Sequence, residues 1–335
     1  MSTRCDIRLS VPSKGVLAET ALSFLADCGL EVRKTNPRQY EARIPALPEL
    51  TVLFQRPADI VVSVADGSVD FGITGLDMVA ERNRSESSSL LLLHDALDFG
   101  HCRLALAVPE AWQNVSTLAD LNRYVQALGR PVRVATKFPR LAAQFLQQHG
   151  IQPLALITVE GTLEAAPAIG YADMIADLVS SGQTLRDNRL RPIMDGTILQ
   201  SQAVLLTNRD ALRTRTEVLT LARVLLEYIE AHLRAVEHVA IYANIRGDSP
   251  RAIAQKMFAQ QTLGGLQGPT ISPVVVRGDN GNWHAVHIIV RKDRLFQAIS
   301  ELRAIGGSGV VVTPVIYIFE EEPARYRALM EAVRA

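Results

Sequence analysis

Ser180-Ser181-Gly182-Gln183-Thr184, shortly after Asp177, has the residue types of an anion site. Small side chains let backbone N–H groups point into a common concavity, and a helix starting behind them adds a positive dipole end. The hydroxyls of Ser180, Ser181 and Thr184 supply further donors. Asp177 would repel a phosphate, so a carboxylate just before such a loop suits the hydroxyls of a sugar carrying it. The pattern reads as a ribose-5-phosphate cradle. An ordinary strand-to-helix turn with a Ser or Thr N-cap shares this composition, and the run matches neither the Walker nor the dinucleotide fingerprint.

Position along the chain supports a built site. Gly161-Thr162 precedes Glu164 to Ile169, the Ser/Gly run precedes Leu185 to Asn188, and both turns stand where a helix can begin. Between them Tyr171 to Val179 reads as a buried strand with Asp173 and Asp177 towards its two ends. For Glu164 and Asp173 the plain readings are a helix-start carboxylate and a strand-edge charge. Earlier, Ile7 to Val11 reads as a strand running into Pro12-Ser13-Lys14-Gly15 and an amphipathic helix. Lys14 in that turn suits a pyrophosphate contact, or is a solvated turn lysine. Thr51 to Phe54 leads into Arg56 and a helix over 58–65. Val69 to Ile73 leads into Thr74-Gly75 and a helix over 77–81. Such alternation predicts a parallel sheet whose ligands bind beyond the carboxyl ends of the strands. Arg56 and Thr74 fall at such ends and Asp70 at the opposite one.

Leu90 to Leu93 and Arg103 to Val108 flank Asp98-Phe99-Gly100, and the second of these strands leads into a second lobe. That lobe would end after Arg191, with a return through Gln202 to Thr207. The expected fold is therefore α/β and bilobal, like periplasmic binding proteins. Boundaries are 1–102 with 192–212 for the first lobe and 103–191 for the second. A connecting helix over 213–235 comes before a unit over 236–335, where the order βαββαβ predicts a ferredoxin-like domain. Asp279-Asn280-Gly281 is its hairpin signal. In Pro269-Thr270-Ile271-Ser272-Pro273, prolines fix the backbone that presents the hydroxyls of Thr270 and Ser272; a plain edge strand has the same pattern. The extension from Glu320 to Ala335 has no reading at this level.

Thirty-five basic residues balance thirty-five acidic ones, which removes the net field of a nucleic-acid-coating surface and makes any anion site local. Cys5, Cys28 and Cys102 lack metal-ligand spacing and fit a reducing cytoplasm. No signal peptide opens the sequence and no apolar run can span a bilayer, so no membrane role is expected. Neither a Ser-His-Asp nor a Cys-His arrangement stands out.

Together, G-T-L-E-A-A-P and A-D-M-I-A-D-L-V-S-S-G-Q-T-L resemble the phosphoribosyl pyrophosphate site of the ATP phosphoribosyltransferase family. D-F-G-I-T-G-L-D from Asp70, D-F-G-H-C-R-L from Asp98, R-V-A-T-K-F-P from Arg133 and P-T-I-S-P-V from Pro269 extend the likeness in order over nearly the whole chain. The resemblance implies a glycosyltransferase acting at the first step of histidine biosynthesis, in its long, regulated form. N1 of the adenine of ATP would displace pyrophosphate from phosphoribosyl pyrophosphate, with magnesium and no protein metal cage. By role, Ser180, Ser181, Gly182, Gln183 and Thr184 would hold the 5-phosphate with Gly161 and Thr162 nearby, and Asp177 the ribose, with Glu164 and Asp173 as alternative ribose or magnesium-water partners. Lys14 and Arg56 would face pyrophosphate or nucleotide phosphates. Histidine would inhibit through Thr270 and Ser272, in a homohexamer. One departure is Val16, where the family usually has arginine. A diverged paralogue serving as a small-molecule sensor, or one using another nucleobase, stays open, since fold alone does not decide function.

Overall fold

Residues 6–34, 36, 39–83, 89–158, 162–276 and 282–334 are described by the computed structural model. They form two compact units: the chain up to Arg223 joined by residues from Arg325 onward, and Val224–Ala324. The sequence places 325–335 with the C-terminal domain, and the fold returns it to the first unit.

The first unit begins with β1 (Ile7–Pro12), α1 (Val16–Asp27), the hairpin β2 (Glu41–Ile44) and β3 (Leu47–Gln55), and α2 (Pro57–Ala65). It continues through β4 (Phe71–Gly75), α3 (Leu76–Arg82) and β5 (Leu90–His94). β6 (Cys102–Pro109) then carries the chain into a second sheet through α4 (Leu118–Ala127), β7 (Val132–Thr136), α5 (Pro139–Gln148), β8 (Leu154–Thr158), β9 (Met174–Val179), α6 (Gln183–Asp187) and β10 (Leu190–Ser201). β11 (Ala203–Asn208) returns to the first sheet. The orders are β2-β3-β1-β4-β11-β5 and β10-β6-β9-β7-β8. β10 stays in the second sheet to Ser201, so the chain recrosses later than the expected Arg191.

Local chemistry accounts for these elements. β1 and β4 are almost wholly buried, as central strands covered on both faces must be. Proline opens both α2 and α5, where its missing N–H is harmless. Thr117 and Asp120 close a reciprocal capping box on α4. The second sheet's core gathers Leu106, Val134, Leu146 and Met174, each fully buried.

α7 (Arg209–Thr214) and α8 (Thr216–Val236) follow β11, and the second unit continues as β12 (His238–Arg246), α9 (Pro250–Phe258), β13 (Thr270–Pro273), β14 (Trp283–Arg291), α10 (Leu295–Ala304) and β15 (Ser308–Pro314). This is the βαββαβ order, with strands arranged β13-β14-β12-β15. Ile241, Ile253, Ile288 and Leu302 share its core. The expected hairpin turn at 279–281 lies outside the described residues. α11 (Ala324–Arg334) packs in the first unit, where Arg325 pairs with Asp95 at 2.6 Å and Leu329 is buried.

Candidate active site

β9 ends at Val179, and the loop behind it is short. α6 begins at Gln183, earlier than the expected Leu185, because Gly182 takes φ +72° as its N-cap and turns the chain at once. That left-handed conformation favours glycine, and a Cβ there would meet the Arg186 guanidinium at 3.4 Å. Ser180, Ser181 and Thr184 are exposed. Ser181 Oγ accepts from the Gln183 N–H at 3.3 Å, while the hydroxyls of Ser180 and Thr184 have no hydrogen bond among the described residues. Gln183 spends its side chain along the helix, donating to Asp187 at 2.6 Å and accepting from Arg186 at 2.9 Å.

Asp177 stands half-buried on β9, opposite Ala105 of β6. Its Oδ1 accepts from the Leu178 N–H at 2.8 Å. Burial pushes the carboxyl up from its ordinary value; the neighbouring Glu164 charge adds to this and Lys137 opposes it. Glu164 lies in a 3-10 turn, Leu163–Ala165, behind the exposed Thr162. Gly161 lies outside the described residues. Three charged groups thus converge where a sugar would be held, and sequence spacing had singled out two of them. Lys137 was legible by the rule that selected Arg56, since it is the first residue past the carboxyl end of β7.

Asp173 is not among them. It precedes β9, at the opposite end of the strand from the loop, and its side chain is only 9% exposed. Arg130 grips both its oxygens at 2.7 and 2.8 Å, Arg133 donates at 2.9 Å, and the Arg133 backbone N–H adds a bond at 2.8 Å. These partners, Arg130 foremost, hold its carboxyl well below the usual range. Asp173 ties β7 to β9 and has nothing left for a ligand.

On the first sheet, Pro12 of β1 pairs in register with Gln55 of β3, and the Ser13 N–H donates to the Gln55 carbonyl at 2.8 Å. Lys14 and Arg56, both exposed, therefore emerge at one sheet edge. Arg56 is the N-cap residue of α2. Val16, next to that turn, is 75% exposed. Thr74 does not reach this surface. It is fully buried, and its hydroxyl donates to the Pro57 carbonyl at 3.2 Å, stitching β4 to the start of α2. Asp70 is likewise structural, paired with Arg215 at 2.8 Å.

Where the chain crosses between the sheets, a cleft of about 440 Å³ is lined by Ser180, Arg103, His101 and Gln202 among others. Beneath it Ser201 donates to Asp77 Oδ1 at 2.6 Å and accepts from the Asp77 N–H at 3.0 Å. Burial pushes both Asp77 and Cys102 up, the latter also through Asp77, so Cys102, half-buried in the cleft wall, stays a thiol.

Residues 56–230 match the family described as ATP phosphoribosyltransferase, and residues 235–317 match the HisG C-terminal domain. ATP phosphoribosyltransferase 2, chloroplastic, of Arabidopsis thaliana is 45% identical over 98% of this chain and 80% of its own length. The ATP phosphoribosyltransferase of Gemmatimonas aurantiaca is 36% identical over 92% and 98%. Among solved structures, the ATP phosphoribosyl transferase (HisG:HisZ) complex from Thermotoga maritima superposes with a TM-score of 0.50 at 24% identity, covering 67% of this chain and 98% of the other. That likeness speaks to the fold alone.

Proposed function

Because the chain belongs to the ATP phosphoribosyltransferase family, in the long form that carries the C-terminal domain, we propose which of its residues perform each part of the reaction. The enzyme transfers the phosphoribosyl group from phosphoribosyl pyrophosphate to N1 of the adenine of ATP, the first step of histidine biosynthesis. The 5-phosphate sits on Ser180, Ser181, Gly182 and Thr184, and Asp177 accepts from the ribose hydroxyls with Glu164 beside it. Lys14 and Arg56 approach from the first sheet to meet the phosphates of the nucleotide or the diphosphate. Such a displacement needs its reactants held in line and its leaving group neutralised, so positioning and fixed charge supply most of the catalysis. The observation that carries this reading is the left-handed Gly182 loop, whose Ser180 and Thr184 hydroxyls have no hydrogen bond among the described residues, directly beyond a half-buried carboxylate on β9.

Magnesium use goes with the family. No three His, Cys, Asp or Glu side chains converge on a metal point among the described residues. The hard oxygens of Asp177 and Glu164 fit magnesium, and they would hold it through its water while substrate phosphates complete the shell. The ion would neutralise charge on the departing diphosphate.

For the C-terminal domain we propose histidine sensing at Thr270 and Ser272. Thr270 lines a recess of about 280 Å³ with His287 and Glu320. In register across the sheet, Thr270, His287, Tyr242 and Val311 form one row on the face away from Ile241 and Ile288. Tyr242 stacks on His287 at 4.4 Å, and Val311 is 54% exposed. This row, with its exposed Tyr242 and Val311, supports assembly into the homohexamer the family resemblance implies. A reducing, cytoplasmic setting is part of the proposal, supported by the free thiols of Cys28 and Cys102; no described helix is long and apolar enough to cross a membrane. Incubation with ATP, phosphoribosyl pyrophosphate and magnesium should release pyrophosphate and build the N1-substituted adenine chromophore. Folded protein that does neither, with histidine removed, would return the sensor reading.

A further inference from the structure

Lys137 is a cation to which these assignments give no role. It is exposed, it follows β7 directly, and its ammonium has no hydrogen bond or ion pair among the described residues. β7 lies parallel to β9 with Thr136 opposite Ala176, so Lys137 emerges beside Asp177 at the same carboxyl edge. On its other flank Thr136 pairs with Thr158 of β8, the strand that leads towards Glu164.

The turn that carries Lys137 is stiff. The Phe138 N–H donates to Thr136 Oγ1 at 2.9 Å, the Phe138 ring is buried, and Pro139 opens α5. The start of α5 is held by α3 as well. Glu81 of α3 accepts from the N–H groups of Arg140 and Leu141 at 2.9 and 3.0 Å, and Arg140 Nε donates to the Glu81 carbonyl at 3.0 Å. A carboxylate on those unpaired N–H groups is a strong anchor.

Direction follows from the sheet order. The phosphate loop runs into α6, which packs against β10, on the β6 side of β9. Lys137 stands on the opposite side of β9. A phosphoribosyl group with its 5-phosphate in the loop and its hydroxyls on Asp177 therefore turns C1 towards β7. We propose that Lys137 binds the diphosphate attached to C1 and stabilises it as it leaves, with Glu81 as the positioning residue that fixes its turn. This rests on the assignment of the phosphate loop and Asp177 above. In the step, the lone pair of adenine N1 forms the C1–N1 bond as the C1–O bond breaks. The bonding pair departs on pyrophosphate, and the positive charge gained at N1 remains on the adenine ring. Negative charge thus grows on the departing oxygen, and a compact ammonium on a flexible stem can follow it.

The test uses full-length Lys137→Met with inorganic pyrophosphate as probe, by calorimetry and as product inhibitor, and ribose 5-phosphate as control ligand. Pyrophosphate affinity should fall about ten- to a hundredfold, the range for losing a charge-assisted bond. kcat should fall with it, while ribose 5-phosphate affinity and the KM for ATP stay near the parent. Lys137→Arg should recover part of the loss, and Glu81→Gln should show the same split more weakly. Parent-like pyrophosphate binding and kcat in folded Lys137→Met would overturn the inference, as would an equal loss of both ligands. Ribose 5-phosphate binding that ignores both Gly182→Ala and Asp177→Asn would remove the loop assignment and this inference with it. With those two variants impaired, an unchanged Lys137→Met removes this inference alone.

Discussion

Replacing Asp177 by Asn separates a ligand contact from a structural one. Among the described residues its carboxylate accepts one bond, from the Leu178 N–H to Oδ1, which leaves its remaining acceptor sites for ribose hydroxyls. Asn keeps one acceptor oxygen but loses the charge, so one charge-assisted bond worth about 1.5–3 kcal/mol is forfeited. In kcat/KM for phosphoribosyl pyrophosphate that is a loss of about ten- to a hundredfold. Stability should move the other way. Burial raises the folded carboxyl's pKa, so the folded state binds this proton more tightly than the unfolded chain does. The charge therefore weighs against folding at pH values above the folded pKa, and that penalty fades as pH falls through it. Asp177→Asn should melt no lower than the parent at neutral pH, and any advantage should shrink on acidification. Initial rates at varied phosphoribosyl pyrophosphate, with melting curves across pH, read both effects. Normal kinetics with a collapsed Tm would make Asp177 a structural residue, and normal kinetics with a normal Tm would make it a bystander.

Asp173→Asn should do the reverse, lowering the Tm by roughly 2–8 °C with kcat/KM per folded molecule unchanged. Its folded pKa is depressed by Arg130 and Arg133, so the stabilisation is present above the ordinary carboxylate range and is lost as pH falls through the folded value; a specific loss of activity would return Asp173 to the site. Gly182→Ala forces a side chain into φ +72°, a strain of roughly 1–2 kcal/mol. It should raise the KM for phosphoribosyl pyrophosphate several-fold and leave that for ATP alone; equal KM changes would argue against a phosphate loop. Thr270→Ala should weaken histidine inhibition while the uninhibited rate stays near normal, the inhibition of the parent being non-competitive with phosphoribosyl pyrophosphate. A coupling of about 1–3 kcal/mol would make this several-fold or more, and calorimetry that finds no histidine binding to the parent would leave the C-terminal domain an assembly module.

Much of the fold was legible because its signals are local. The βαββαβ order of the C-terminal domain follows from strand-like and helix-like apolar periods separated by turn residues. The turn at Gly182 follows from a residue that can take φ +72°, and Arg56 follows from standing where a parallel strand ends. Tertiary structure alone decided between Asp173 and Asp177. Both belong to one segment, yet the first is taken by Arg130 and Arg133 while the second accepts only from the Leu178 N–H among the described residues. Thr74 lies at a correctly placed strand end, but the carbonyl of Pro57 claims its hydroxyl. Lys137 stands beside Asp177 only because β7 lies against β9, and Glu81 of α3 holds the helix start that follows it. Periodicity determines which side chains of a strand share a face. Which strand lies alongside, and so which charge meets which, depends on contacts distant in sequence that no local pattern encodes.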